Sequence, residues 1–136
     1  MARSIARDHD EKRAQILAAA ARVFAEDGYH RASMSRLAAA CGISKANIYH
    51  YWDSKDALLF DLLESYLAGL RDRIAAVDGQ GLTPEAHLAA VTEEILMAYR
   101  GADDAHRVQV AALSALPEEQ QRILRGYQRD LVDQVS

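Results

Sequence analysis

Residues 33–55, SMSRLAAACGISKANIYHYWDSK, decide the fold of this chain, because they carry the signals of two short helices joined by a tight turn. Ser33 and Ser44 each precede one of these helices, where a serine hydroxyl can accept a backbone N–H of the first turn. Gly42 lies between them, at a point where a helix must end and reverse, since glycine enters left-handed backbone space without a Cβ penalty. The segment predicts a helix-turn-helix, whose second helix enters the major groove of DNA.

The second predicted helix, residues 44–52, has one inward-facing position at its centre, Ile48. Its outward positions carry side chains suited to bases. Asn47 can pair bidentately with adenine, Lys45 can reach guanine acceptors, and Ala46 can touch a thymine methyl group. Tyrosine hydroxyls and lysine ammonium groups also bind phosphates. A short helical hairpin with exposed tyrosine and histidine occurs in other globular proteins too, so a helical interaction module without DNA contact remains an alternative.

Four segments carry a family resemblance: Gly28-Tyr29, Ser33–Ala38 (SMSRLA), Gly42–Trp52 (GISKANIYHYW) and Ser54–Leu59 (SKDALL). Together they resemble the DNA-binding domain of TetR/AcrR-type regulators, from about residue 12 to the middle of the following long helix. The tyrosine–aromatic run followed by Lys-x-x-Leu is the most specific part. The resemblance implies base-facing positions at Lys45, Ala46, Asn47 and Tyr49, and phosphate-facing positions at Ser33, Ser35, His50, Tyr51 and Lys55.

One position departs from the family pattern. Many relatives have histidine where this chain has Tyr51, and tyrosine or another aromatic residue where it has His50. Which of these two side chains touches phosphate is therefore open.

The resemblance implies an all-α fold with two parts. A three-helix, homeodomain-like helix-turn-helix domain is linked by a long helix to a helical C-terminal domain for ligand binding and dimerisation. Relatives are mostly dimeric bacterial repressors that leave a palindromic double-stranded DNA operator when a small molecule binds. The effector expected here is small and hydrophobic, with acyl-CoA esters and aromatic compounds as candidates. The alternative is a protein of the same fold that organises chromosomal DNA or recruits a partner without any small-molecule ligand.

The relatives usually continue for two more helices, which supply a four-helix dimer interface, whereas this chain stops at Ser136 in mid-pattern. The expectation is a truncated chain whose full-length parent is a homodimer. Among the apolar side chains of the C-terminal part, Met97, Tyr99 and Tyr127 are candidates to line an effector pocket. The simpler interpretation is that they only fill a helical core.

The charge distribution agrees with a DNA-binding N-terminal domain. The chain has 136 residues and a formal net charge of −4. Residues 1–55 carry nine Lys/Arg against six Asp/Glu, a net +3, whereas residues 56–136 carry seven against fourteen, a net −7. A basic N-terminal part on an acidic body is expected when one end meets phosphate. The predicted domains are residues 1–55, the tail and helix-turn-helix, and residues 56–136, the connecting helix and an incomplete regulatory domain.

Other patterns exclude several classes of protein. No apolar run approaches the ~20 residues that span a bilayer, and the first residues lack the hydrophobic centre of a signal peptide. The single cysteine excludes an internal disulfide, and the five histidines are dispersed. No phosphate-binding glycine loop or nucleophile–base pattern is present. The sequence therefore predicts a cytoplasmic, nucleoid-associated protein that is not an enzyme and has no metal or cofactor.

The remaining helices follow from apolar periodicity. A first helix is predicted over residues 11–27, after a tail with Arg3 and Arg7 for which disorder is favoured over a minor-groove arm. A long helix over residues 54–77, capped by Asp53, would connect the two domains. Further helices are predicted from Pro84, over 103–116 and from Pro117. Their predicted inner faces include Leu88, Val91, Ile95, Leu96 and Tyr99, and then Ile123, Leu124, Tyr127, Leu131, Val132 and Val135.

Overall fold

Helices make up all the regular structure in the computed structural model, which describes residues 2–100 and 103–135, with side chains for 7–98, 100 and 103–133. Within these ranges the chain forms α1 (Ala2–Asp27), α2 (Met34–Cys41), α3 (Lys45–Tyr51), α4 (Lys55–Ala75), α5 (Pro84–Arg100), α6 (Asp103–Ala112) and α7 (Glu118–Val135). A short 3-10 turn, Leu113–Ala115, joins α6 to α7. The predicted all-α class, with an N-terminal helix-turn-helix followed by a helical C-terminal part, is confirmed.

The long helix α4 lies at the centre of the core. One of its faces is buried along the whole helix, and the buried residues are Leu58, Leu59, Leu62, Leu63, Leu67, Leu70 and Ile74. Its first turns share one apolar cluster with α1, α2, α3, α6 and α7, in which Leu37, Ile48 and Leu124 are inaccessible to solvent. Its last turns form a smaller cluster with Val91 and Ala98 of α5. At ~1.5 Å per residue α4 is about 31 Å long, so it contacts both halves of the chain.

The N-terminus of α1 corrects the prediction of a disordered tail, because the helix already begins at Ala2. The exposed residues Arg7 and Glu11 form an i,i+4 ion pair of 3.2 Å, which supports the added turns. The imidazole of His9 stacks on Tyr51 of α3, with ring centroids 4.8 Å apart. This contact joins residues far apart in sequence, and apolar periodicity does not reveal it. The side chain of Arg3 lies outside the described residues.

The start of α4 also differs from the prediction. Ser54 caps this helix, since its Oγ accepts a hydrogen bond from the backbone N–H of Ala57 at 3.0 Å. Asp53, the predicted cap, is an exposed residue in front of the capping position. Asp56 lies in the first turn as expected, near the positive end of the helix dipole.

The C-terminal helices bury narrower faces than their periodicity predicts. Thr83 caps α5 as expected, with its Oγ1 accepting the N–H of Ala86 at 3.1 Å. In α5 the buried positions are Val91 and Ala98, with Ile95 half-buried. The prediction of an inward position is wrong for four residues that are 46–64% exposed, namely Leu88, Leu96, Ile123 and Val132. The side chains of Tyr99 and Val135 lie outside the described set. The buried stripe is narrow because α5 packs chiefly against α4, and one contact face can cover only one side of a helix.

Among the helices of the described residues, none is both long and apolar enough to cross a bilayer.

Candidate nucleic-acid interface

The turn between α2 and α3 has the geometry that its sequence predicts. The hydroxyl of Ser33 accepts the N–H of Arg36 at 3.0 Å, and the hydroxyl of Ser44 accepts the N–H of Asn47 at 3.0 Å. Gly42 adopts a left-handed conformation with φ +69° and ends α2. Each helix therefore begins at a serine cap, and the glycine sets the angle between them.

Replacing Gly42 with alanine should lower the free energy of unfolding by about 1 kcal/mol, because a Cβ atom is strained in left-handed backbone space. A Cβ at this position would meet no other atom within 4 Å, so the backbone conformation alone sets the cost. Denaturant unfolding measures the effect. Gly42→Asn is the control and should cost less, since asparagine tolerates this conformation. Equal losses in the two variants would contradict the explanation.

Helix α3 has a buried side and an exposed polar side. Ile48 is completely buried, and Trp52, which ends the helix, is 6% exposed. The predicted base-facing residues lie on the other side, where Lys45, Ala46 and Tyr49 are exposed and Asn47 is half-buried. The structure thus brings the four predicted base-facing residues together on one short helix.

The predicted phosphate-facing residues of α2 and α3 are not equally accessible. Ser33 and Ser35 are exposed at the start of α2, and His50 is exposed at the end of α3. Tyr51 is half-buried, because its ring stacks on His9 and meets the edge of His50 at 5.7 Å between centroids. His50 is therefore the more accessible of the two residues that exchange places relative to the family pattern.

Lys55 has a structural role that sequence reasoning missed. Its Nζ donates hydrogen bonds to the backbone oxygens of Tyr29 at 2.7 Å and Ala32 at 3.0 Å. The ammonium group also lies 4.3 Å from the centre of the Tyr29 ring, within cation–π distance. Lys55 thus fastens the start of α4 to the connection between α1 and α2. Backbone carbonyl acceptors leave no side-chain pattern in a sequence, so the role was not predictable.

Tyr29 is a second link between this connection and α4. The residue is 8% exposed, and its phenol donates a hydrogen bond to the carboxylate of Asp56. Burial raises the pKa of the phenol above its ordinary value, and the hydrogen bond and negative charge of Asp56 raise this pKa further.

The stabilisation from Tyr29 should be lost at alkaline pH. Below the ordinary tyrosine pKa of ~10, the phenol is protonated in both the folded and the unfolded chain, so the stabilisation is fully present. At higher pH the unfolded chain releases the proton while the folded chain retains it, and the free energy of unfolding falls. Tyr29→Phe should remove this part of the decline in the free energy of unfolding, which denaturant titrations at neutral and alkaline pH measure. Tyr49→Phe, an exposed phenol, is the control, and equal slopes for Tyr29→Phe and the native chain would contradict the assignment.

Two of the three residues suggested for an effector pocket have described side chains. Met97 is 53% exposed on α5, and the half-buried ring of Tyr127 lies 4.9 Å from the guanidinium carbon of Arg71. Tyr99 lies outside the residues whose side chains are described. One cavity of about 600 Å³ lies between the end of α1 and α6, and its lining includes Phe24 and Val108. A second, of about 420 Å³, lies between α1, α4 and the start of α6.

Metal binding and thiol chemistry have no arranged site in the described part of the chain. No group of three or more His, Cys, Asp or Glu residues there could hold a metal ion. Cys41 is half-buried on α2, and burial raises the pKa of its thiol, which disfavours the reactive thiolate.

The two serine caps, the glycine turn and the polar outward face of α3 identify a helix-turn-helix of the kind found in DNA-binding proteins. Residues 16–62 match the family described as bacterial regulatory proteins, tetR family. A solved TetR-family transcriptional regulator from Bordetella parapertussis superposes with a TM-score of 0.84 at 36% identity, over 90% of this chain and 64% of that one. These matches support a TetR-type transcriptional regulator.

Two further relatives bear on function. The HTH-type transcriptional repressor Rv1474c of Mycobacterium tuberculosis is 38% identical over 88 residues, which cover 54% of this chain and 47% of the relative. The structure of AibR in complex with isovaleryl coenzyme A and operator DNA superposes with a TM-score of 0.77 at 26% identity, over 90% of this chain and 67% of that one. The chain spans about half the length of the curated relatives that it matches. The curated relatives are named as transcriptional repressors or regulators.

Proposed function

We propose that this chain belongs to a transcriptional repressor that binds a palindromic operator as a homodimer. The observation that carries the proposal is the exposed polar face of α3, held in place by the buried Ile48 and Trp52. A helix of this kind reads base edges when it lies in the major groove. Two copies related by a twofold axis would place two such helices on successive half-sites.

The side chains of the interface divide into two roles. Lys45, Ala46, Asn47 and Tyr49 face the bases, since they share the outward surface of α3. The second role is to bind phosphates, which fix the position of the helix without reading sequence, and it falls to Ser33, Ser35, His50, Tyr51 and Lys55. The exposure of His50 supports it as the principal phosphate ligand of the His50–Tyr51 pair.

The charge distribution supports this division of the chain. The basic residues 1–55 form the DNA-binding domain, and the acidic residues 56–136 form the regulatory domain. Because phosphate contacts release counterions from DNA, affinity should fall steeply with salt concentration. Such a protein would act in the cytoplasm, associated with the nucleoid.

The effector proposed for the full-length protein is a small hydrophobic molecule, with acyl-CoA esters and aromatic compounds as the candidate classes. Support for an acyl-CoA comes from the similarity to AibR, which was solved with isovaleryl coenzyme A and operator DNA. Helix α4 reaches from α3 to α5, so a displacement of its C-terminal turns by ligand would alter the position of α3. DNA release would follow from that displacement.

Selection from a random duplex library tests the DNA-binding proposal. We expect a recurrent palindromic sequence, and fluorescence anisotropy should show tighter binding to the selected duplex than to random duplex. Isovaleryl-CoA and aromatic carboxylates, added in separate titrations, should weaken binding and raise the melting temperature. Specific binding without a response to any ligand would favour the chromosome-organising or partner-recruiting alternative. Absence of binding even at low salt would favour the helical interaction module.

A further inference from the structure

Helix α3 is fastened at its C-terminal end by a carboxylate on another helix. Trp52 ends α3, and its indole Nε1 donates a hydrogen bond to Oδ2 of Asp61 at 2.8 Å. Asp61 lies in the second turn of α4, and its other oxygen accepts a hydrogen bond from Nη2 of Arg13 on α1. Ser65, one turn along α4, adds a longer contact of 3.4 Å to that second oxygen.

We infer that Arg13, Asp61 and Trp52, here called the Asp61 cluster, set the orientation of α3 relative to α1 and α4, and that Asp61 is a positioning residue for DNA recognition. One carboxylate joins three helices, because its two oxygens have different partners. The Asp61 side chain is 20% exposed and the Trp52 side chain is nearly buried. A hydrogen bond in such surroundings is stronger than one in water, and an unpaired indole N–H there is costly.

A second contact from α1 reaches the same end of α3. His9 stacks on Tyr51, and His9 and Arg13 are four residues apart on α1. Side chains at this spacing share one face of a helix, so this face of α1 contacts Tyr51 directly through His9 and is linked to Trp52 through Asp61. Through these two contacts, the N-terminal turns of α1 restrain the C-terminal end of α3.

Packing and the Asp61 cluster restrain α3 in different ways. The helix has seven residues, of which Ile48 is buried, and the buried Trp52 follows at its end. Apolar contacts are not directional, whereas the hydrogen bonds of the Asp61 cluster supply a directional restraint at the end of the helix. Base readout tolerates errors of only about 0.5 Å and 10–20° in a binding group, so this restraint matters more for bases than for phosphates.

The single tryptophan of the chain makes the inference testable without DNA. In the full chain, Asp61→Leu should move the one indole N–H resonance and speed its exchange. It should also accelerate amide exchange in α3 on the order of tenfold relative to α7, as expected from loss of a hydrogen bond to a charged group. Asp61→Asn retains an acceptor for the indole but not the ion pair, so α3 should remain protected while the α1 amides near Arg13 exchange faster.

A double-mutant cycle separates orientation of α3 from general stability. Trp52→Phe removes the indole N–H but keeps an aromatic ring, and its effect on α3 exchange should match that of Asp61→Leu. The two substitutions together should add little to either one alone, because both remove the same hydrogen bond. Additive effects, an unchanged indole resonance in Asp61→Leu, or equal acceleration of all helices would overturn the inference.

A matched control is available elsewhere on α4. Arg73 pairs with Glu94 of α5 at 2.7 Å, remote from α3. Glu94→Gln should therefore leave α3 exchange and the indole resonance unchanged, and a change as large as that in Asp61→Leu would overturn the inference.

The consequence for DNA binding rests on the proposed function. Asp61→Leu and Trp52→Phe should weaken binding to the selected duplex more than binding to random duplex, whereas Glu94→Gln should affect neither. Equal losses on both duplexes would overturn the positioning role. If the native chain selects no duplex, the proposed function fails, while the exchange measurements still decide whether the Asp61 cluster orients α3.

Discussion

Replacing Asn47 with alanine should lower affinity for the selected operator about 10- to 100-fold, with little change for random duplex. A bidentate contact with a base is worth about 1–3 kcal/mol, and alanine cannot make it. Asn47 is half-buried on the outward side of α3, and its backbone N–H is already held by Ser44, so the substitution leaves the helix cap intact. Fluorescence anisotropy on the two duplexes measures the ratio.

Tyr49→Ala should have a comparable effect, because this exposed side chain shares the same surface. In both variants the helical circular-dichroism signal should match that of the native chain. Glu93→Ala, an exposed position on α5, is the control and should bind as the native chain does. Loss of the helical signal together with binding would show that the two residues are structural instead.

Lys55→Met should lower the free energy of unfolding by about 2 kcal/mol, in addition to weakening DNA binding. The methionine keeps most of the aliphatic stem but leaves the carbonyls of Tyr29 and Ala32 without their donor. The ammonium group has one further N–H for a phosphate. The loss of that contact should reduce the slope of log affinity against log salt by about 1.

The control for Lys55 is Lys45, an exposed lysine at the start of α3. Lys45→Met should weaken DNA binding without a measurable change in the denaturation midpoint. If Lys55→Met unfolds at the same denaturant concentration as the native chain, its bonds to the α1–α2 connection contribute no stability. If its salt slope is unchanged, Lys55 is not a phosphate ligand.

The helix-turn-helix was predictable because its signals are local. A serine cap, a glycine with positive φ and an apolar residue at helical spacing each act within a few residues. Ser33, Gly42 and Ile48 are found where these rules place them. The buried stripe of α4 was predictable for the same reason, since a long helix packed on several neighbours buries a regular face.

The wrong predictions concern features that depend on tertiary packing, that is, on which helices lie against each other. Leu96 and Val132 have the spacing of inward residues, but they are 59% and 64% exposed. Asp53 and Ser54 are both suitable caps, and the backbone conformation at Ser54 decided between them. The N-terminal turns of α1 have weak apolar periodicity, and their contact with α3 could not be read from it.

Local chemistry along the chain thus specified two capped helices, the glycine turn between them and a polar surface suited to DNA. Tertiary structure alone decided how that surface is held. Lys55 bonds to backbone carbonyls, and Asp61 joins Arg13 to Trp52. These partners are separated by up to 48 residues in sequence. Hydrogen bonds over such separations form only once the helices have packed, and neither periodicity nor capping rules contain that information.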